Sequence, residues 1–213
     1  MSAADAPRSI AAADPTSRAA LERTIAAGGV VLFPADGLYG LACDPTRAEA
    51  IARIHRIKGR DDGRPSAVLY FSPLAMRELL SGLGPRTLDA VAALLPGPVT
   101  LVVANPERRY PLACGPEPER LGLRLIAGPL AGAMCPIVQT SANRSGQPPP
   151  WDLDQVDPEI VEAVDLVIDA GELGGLPSTV ADLTAIEVGG EWTVLREGAL
   201  PAAELERLLR DLG

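Results

Sequence analysis

Thr16-Ser17-Arg18-Ala19-Ala20-Leu21-Glu22-Arg23-Thr24-Ile25-Ala26-Ala27-Gly28-Gly29-Val30-Val31-Leu32-Phe33-Pro34 reads as an amphipathic helix that feeds a buried strand. Thr16 or Ser17 can cap the helix, Leu21 and Ile25 stand one turn apart on its apolar stripe, and Gly28-Gly29 ends it. Four consecutive apolar residues then form a strand covered on both faces. The alternation continues down the chain. Helical spacing marks 48–57, Ser72-Pro73 and Pro85 open helices to about Leu80 and Leu95, and further helices are expected at 130–134, 158–164 and 202–212. Strands are expected at 68–71, 99–103, 123–126, 137–139, 166–168, 178–183 and 192–195. With no internal repeat and no linker-like shift in composition, this predicts a single α/β domain over 16–213. Residues 1–15, Ala-rich but interrupted by Asp5, Arg8 and Asp14, read as a flexible tail rather than a signal peptide.

Composition excludes several function classes. The 28 acidic against 19 basic residues leave a formal charge of −9, so bulk electrostatics will not hold nucleic acid or anionic lipid, and an anion must be held locally. Direct RNA binding is expected to be weak or absent. Cys43, Cys114 and Cys135 are odd in number and form no C-x-x-C pair, which argues for a reduced, cytoplasmic protein without a disulfide framework or a zinc site. No apolar run is long enough to span a membrane.

One lysine stands among those 19 basic residues. Lys58 lies in the most cationic stretch, Arg53-Ile54-His55-Arg56-Ile57-Lys58-Gly59-Arg60, where a helix C-terminus favours positive charge. It reads either as a mobile ammonium kept to meet phosphate or developing negative charge, or as a lone survivor in an arginine-rich composition. His55, the sole histidine, is poor evidence for a metal site or a triad.

Three polar loops follow apolar segments. Lys58-Gly59-Arg60-Asp61-Asp62-Gly63-Arg64 reads as a phosphate-facing turn or a solvated one. Thr140-Ser141-Ala142-Asn143-Arg144-Ser145-Gly146 ends a strand abruptly, as at a ligand crevice or in an ordinary Asn/Ser/Gly turn. Gly174-Gly175-Leu176-Pro177-Ser178-Thr179 leads into a later strand, and Arg196-Glu197-Gly198 ends the next. Neither G-x-x-x-x-G-K-[ST] nor G-x-G-x-x-G is present.

In order, these pieces resemble the Sua5/YrdC/YciO family. The resemblance is carried by Gly29-Val30-Val31-Leu32-Phe33-Pro34 with Tyr39-Gly40-Leu41, then Ile57-Lys58-Gly59-Arg60, Pro96-Gly97-Pro98-Val99-Thr100 and Arg124. Thr140-Ser141-Ala142-Asn143 with Ser145-Gly146 and Pro148, Pro177-Ser178-Thr179-Val180 and Leu195-Arg196-Glu197-Gly198 complete it. It implies a twisted mixed sheet around a deep, locally positive groove, without the extra C-terminal domain of some relatives. It also implies ATP-dependent synthesis of threonylcarbamoyl-adenylate from L-threonine and bicarbonate or CO₂, with release of pyrophosphate and use of the product by a tRNA-modifying transferase. By resemblance, Lys58 and Arg60 serve as catalytic cations that also hold ATP with Ser141, Asn143 and Arg196. Ala35, Tyr39, Arg64, Arg124, Ser178 and Thr179 surround the amino acid. Mg²⁺ accompanies ATP with no dedicated protein site.

The departures fall on the amino-acid side. Where the family commonly reads Pro-Thr-Asp-Thr-Val-Tyr-Gly-Leu, this chain has Pro34-Ala35-Asp36-Gly37-Leu38-Tyr39-Gly40-Leu41, losing two hydroxyls. Arg64 stands where His, Lys or Asn is frequent, Ser66 replaces a leucine, and Ile126 replaces a proline. Two alternatives therefore accompany the leading reading: the same chemistry on another amine, or a non-catalytic module for nucleotide or RNA, double-stranded RNA included.

Overall fold

The strands join one twisted mixed sheet in a computed structural model that describes residues 7–59 and 63–210. They are β1 (Arg8–Ala11), β2 (Val31–Pro34), β3 (Tyr39–Cys43), β4 (Ala67–Tyr70), β5 (Val99–Ala104), β6 (Arg120–Leu125), β7 (Ile137–Ser141), β8 (Leu166–Asp169), β9 (Thr179–Asp182) and β10 (Thr193–Arg196). The order is β1-β8-β2-β3-β7-β4-β6-β5-β9-β10. β1 pairs with β8 in parallel, as do β8 with β2, β4 with β6 and β5 with β9, while the other pairs are antiparallel. The helices are α1 (Ser17–Ala26), α2 (Ala48–Lys58), α3 (Pro73–Leu80), α4 (Pro85–Leu94), α5 (Pro111–Cys114), α6 (Pro158–Glu162) and α7 (Ala202–Leu209).

Local chemistry sets the element ends. The Ser72 hydroxyl accepts from Leu74 N at 3.2 Å and Pro73 opens α3, relieving the orphan donors of the first turn. α2 stops at Gly59, whose φ of 58° puts it in the left-handed region, a conformation glycine adopts without a Cβ penalty.

The pleat sorts side chains to two cores. Leu32, Leu41, Val68, Tyr70, Leu101, Leu121, Leu123 and Val138 pack with α2, α3, α4, α6 and α7 on one face. Val31, Phe33, Ala42, Leu69, Ile137, Leu166 and Ile168 pack with α1 and the 126–133 segment on the other. That second cover stops short. Across β5, β6 and β9 the same face shows Thr100, Val102, Gly122, Arg124 and Val180, which line a groove instead of a helix interface.

Three expectations are corrected. The tail expected through residue 15 does not hold for Arg8–Ala11, which pairs in parallel with Leu166–Asp169; a mostly exposed strand at a sheet edge carries no apolar alternation to reveal it. Tyr39–Cys43, unassigned in the sequence, is a buried central strand. The helix expected at 130–134 is a turn, because Gly128 and Gly132 take φ values of 109° and 89° and Pro129 and Pro136 bracket the segment. Leu212, assigned to the last helix, lies outside the described residues.

Leu123, fully buried on β6, tests the helical-face core. Leu123→Ala is expected to destabilise the protein by about 2–5 kcal/mol in urea unfolding. Val188→Ser, at a residue 87% exposed, is expected to change it by less than about 0.5 kcal/mol.

Candidate active site

Polar residues on inward-facing strand positions build the groove floor. Arg124 interrupts Leu123 and Leu125 on β6, Thr100 interrupts Val99 and Leu101 on β5, and Gln139 follows Val138 on β7. Alternation turns each toward the face that α1 leaves open. The groove encloses about 440 Å³, walled by Ala35, Leu38, Pro149, Leu176 and Pro177, with Ser141, Ser178 and Arg196 among its polar groups.

Arg124 is the most constrained charge there. It is 4% exposed, and its Nη1 donates to Gln139 Oε1 at 3.2 Å and to Ala35 O at 3.5 Å. Nη2 reaches Asp36 Oδ2 at 3.4 Å, and Nε, buried, has no partner among the described residues. Burial pulls its pKa down to about 10, with Asp36 opposing that shift and Arg196 adding to it. The guanidinium therefore stays charged at neutral pH, in a residue that lines the groove while one of its buried donors is left without a partner among the described residues.

The turn beside it is shaped by close approach. Asp36 takes a φ of 79°, Leu38 O accepts from Ala35 N at 2.8 Å, and Gly37 O accepts from Gly175 N at 2.9 Å. A Cβ on Gly37 would lie 2.3 Å from Leu176 O. Glycine is needed here because the 172–178 segment crosses the turn as a strap. At Gly40 a Cβ would meet Gln139 Nε2 at 2.8 Å, so the missing side chain there leaves room for the glutamine that orients Arg124.

Lys58 closes α2 under the 141–147 loop. Its Nζ donates to Ser141 O, to Asn143 O at 2.7 Å and to Asn143 Oδ1 at 3.4 Å, and its carbonyl accepts from Ser145 N at 2.9 Å. The residue is 3% exposed. The structure thus brings Lys58, Ser141 and Asn143 together, with the ammonium bracing the loop from beneath and not among the described residues that line the groove. Three oxygens converge on it, a task for a compact rotatable donor rather than a planar fork. Ser141 lines the groove. Asn143 makes its contacts within the same loop: Oδ1 accepts from Ser141 Oγ, and Nδ2 donates to Arg144 O at 2.9 Å and Gln147 O at 2.6 Å. Arg60 lies outside the described residues.

Of the expected amino-acid ligands, Ala35, Arg124 and Ser178 line the groove. Arg64 is exposed beside Pro65, which does line it. Tyr39 and Thr179 do not belong to this set. Tyr39 is fully buried among helix-facing residues; its hydroxyl donates to Gly171 O at 2.8 Å and accepts from Ala170 N at 2.9 Å. Thr179 is fully buried too, with Oγ1 donating to Leu200 O and accepting from Gly198 N at 2.9 Å and Leu200 N at 3.1 Å. Both hydroxyls tie strands to turns. Gln139, Arg120 and Glu117, not singled out in the sequence, also line the groove, as does Thr100, which entered there only as the end of a family motif. The signal for Thr100 and Gln139 was a polar residue at an inward position of an apolar strand.

The Sua5_yciO_yrdC family model, described as Telomere recombination, matches residues 23–198. The chain belongs to this family. It is 33% identical over 168 residues to a threonylcarbamoyl-AMP synthase of Xanthomonas campestris pv. campestris, an alignment covering 75% of this chain and 89% of that protein. P. abyssi Sua5 complexed with L-threonine superposes with a TM-score of 0.76 at 27% identity, covering 92% of this chain and 58% of the other. E. coli YciO gives 0.72 at 26%, covering 87% and 91%. This Sua5/YciO/YrdC member thus spans less than two thirds of the P. abyssi chain.

Tyr39→Phe separates the two places open to that tyrosine. Leaving Ala170 N unpaired is expected to cost about 1–3 kcal/mol in urea unfolding, with ligand affinity by calorimetry unchanged. Gly37→Ala is expected to weaken ligand binding instead, since the strap backbone must shift to admit the methyl group.

Proposed function

We propose that this protein is a nucleotidyltransferase-type enzyme that makes threonylcarbamoyl-adenylate from L-threonine, bicarbonate or CO₂, and ATP. The observation that carries the reading is a buried, charged Arg124, whose Nε has no partner among the described residues, in a groove that Ser141 and Arg196 also line from strands on either side of it. An amino-acid carboxylate supplies the missing acceptors, and a bidentate pair with a guanidinium is among the strongest contacts available to it. The relatives named threonylcarbamoyl-AMP synthase and the Sua5–threonine complex support the same substrate class.

In this reading the threonine amine adds to CO₂ to form a carbamate and releases a proton. A carbamate oxygen then attacks the α-phosphorus, forming one P–O bond as the bond to pyrophosphate breaks. The protein's work is placement and charge stabilisation. Arg124 fixes the carboxylate, Arg196 meets phosphate, and the loop carrying Ser141, held rigid by Lys58, presents the adenylate side. Magnesium would accompany the nucleotide, held by its phosphates, since the groove carboxylates Asp36 and Glu117 already stand against Arg124 and Arg120. The mixed anhydride then passes to a tRNA-modifying transferase in the cytoplasm. Among the described residues no helix is long and apolar enough to cross a membrane.

The aliphatic Ala35 wall, 4% exposed beside Arg124, favours one second reading, in which the same chemistry serves a different amine. Incubating the protein with MgATP, bicarbonate and an amino-acid panel, then measuring pyrophosphate and the adenylate mass, tests both. Threonine is expected to react. A better amine would favour the second reading, and ATP binding without pyrophosphate release for any amine would overturn both. Arg124→Met is expected to raise the KM for the amino acid about 10- to 100-fold, the range of a lost charged hydrogen bond, with a smaller effect on the KM for ATP. Its unfolding temperature is expected to change little, because the desolvation cost of the buried guanidinium is removed while Asp36, with its side chain 39% exposed, stays solvated.

A further inference from the structure

Thr100 sits on β5 with its neighbours Val99 and Leu101 fully buried, and is itself 8% exposed. Its Oγ1 lies 2.8 Å from Ser178 Oγ, and Ser178 in turn receives Arg196 Nη2 at its carbonyl at 2.7 Å and at its hydroxyl at 3.3 Å. Arg196 is the last residue of β10, at the sheet edge beside a register shift. Among the described residues no carboxylate pairs with it. Its long side chain has much rotamer freedom to lose, and the two contacts to Ser178 are the restraint that limits it.

The hydroxyl pair also fixes a donor count. Two hydroxyls carry two protons, and the bond between them uses one. The other remains for the groove, which both residues line. Arg196 already donates to Ser178, so whichever way the pair is oriented, one O–H is left for a ligand oxygen and the nearby guanidinium is held beside it.

We propose that Thr100 is a positioning residue for the reaction assigned above: anchored in a rigid strand, it orients the Ser178 hydroxyl and through it the Arg196 guanidinium, so that one hydroxyl donor and one cation face the same bound anion. The inference rests on the proposed reaction only for its kinetic readout. Thr100→Val keeps shape and removes the hydroxyl, whereas Thr100→Ser keeps the hydroxyl.

The experiment measures pyrophosphate release, thermal unfolding and, by calorimetry, binding of inorganic pyrophosphate to wild type and both variants. Thr100→Val is expected to lower kcat/KM about 10-fold, as for loss of one oriented hydrogen bond, and to weaken pyrophosphate binding, with unfolding near that of wild type. Thr100→Ser is expected to recover most of both. Wild-type kinetics in Thr100→Val would overturn the proposal. So would equal losses in both variants with lowered unfolding temperatures, which would assign Thr100 to packing through its methyl group. If wild type releases no pyrophosphate from ATP, the proposed reaction falls and calorimetry decides the positioning role alone: weaker binding by Thr100→Val supports it, and equal binding, or none by either protein, overturns it.

Discussion

Side chains on a strand must alternate between faces, and this period of two is the constraint on which the molecule depends. On β6 it sends Leu121, Leu123 and Leu125 into the helix-covered core, and Arg120, Gly122 and Arg124 to the other side. Helices cover the first face broadly. The second is covered by α1 and the 126–133 segment at one end only, and the uncovered remainder is the groove. A site made this way stands on the floor of a sheet, where neighbouring strands fix each Cα and little backbone freedom remains to be lost on binding.

Holding a guanidinium on that floor is unfavourable for the empty protein. Arg124 is desolvated, and its one carboxylate partner among the described residues, Asp36, lies at 3.4 Å and has a positive φ. Strain and incomplete pairing collect here, as they do where a ligand completes the hydrogen bonding. The compensation lies nearby: Gln139 and the Ala35 carbonyl accept from Nη1, and glycines at 37 and 40 let the strap and the glutamine approach. A net acidic chain can in this way be attractive to anions at one place, because desolvated, oriented cations act at short range while distant surface charge is screened.

The rim follows a different logic. The 141–147 loop is fixed by Lys58 from below and by its own Asn143 amide, and the 172–178 strap by backbone bonds to Gly37 and Trp151. Several residues that look like ligands in the sequence also make buried contacts to backbone groups. Tyr39, Thr179, Lys58 and Asn143 satisfy buried carbonyls and amides, groups that would be costly if left unpaired. Fixed residues around a site keep the groups that do line it in place.

Much of this was legible before the fold. Apolar runs marked β2 and β4 to β10, proline and serine marked the starts of α3 and α4, and the ordered motifs pointed to the family and to Arg124, Ser141, Ser178 and Arg196 as residues to find together. Local chemistry decides those features: side-chain period, capping and turn residues act within a few positions. Edge strand β1, with no apolar pattern, and the short strand β3 within a glycine-bearing motif were not legible, since β1 is defined by pairing with β8, and β3 is set into the sheet by pairing with β7, both far along the chain. Nor could the sequence separate a hydroxyl or ammonium that faces a ligand from one that satisfies buried backbone. That distinction depends on which polar groups the sheet order brings within hydrogen-bond distance, so only the tertiary structure could place Lys58 beneath the loop, withdraw Tyr39 and Thr179 from the groove, and set Thr100 against Ser178.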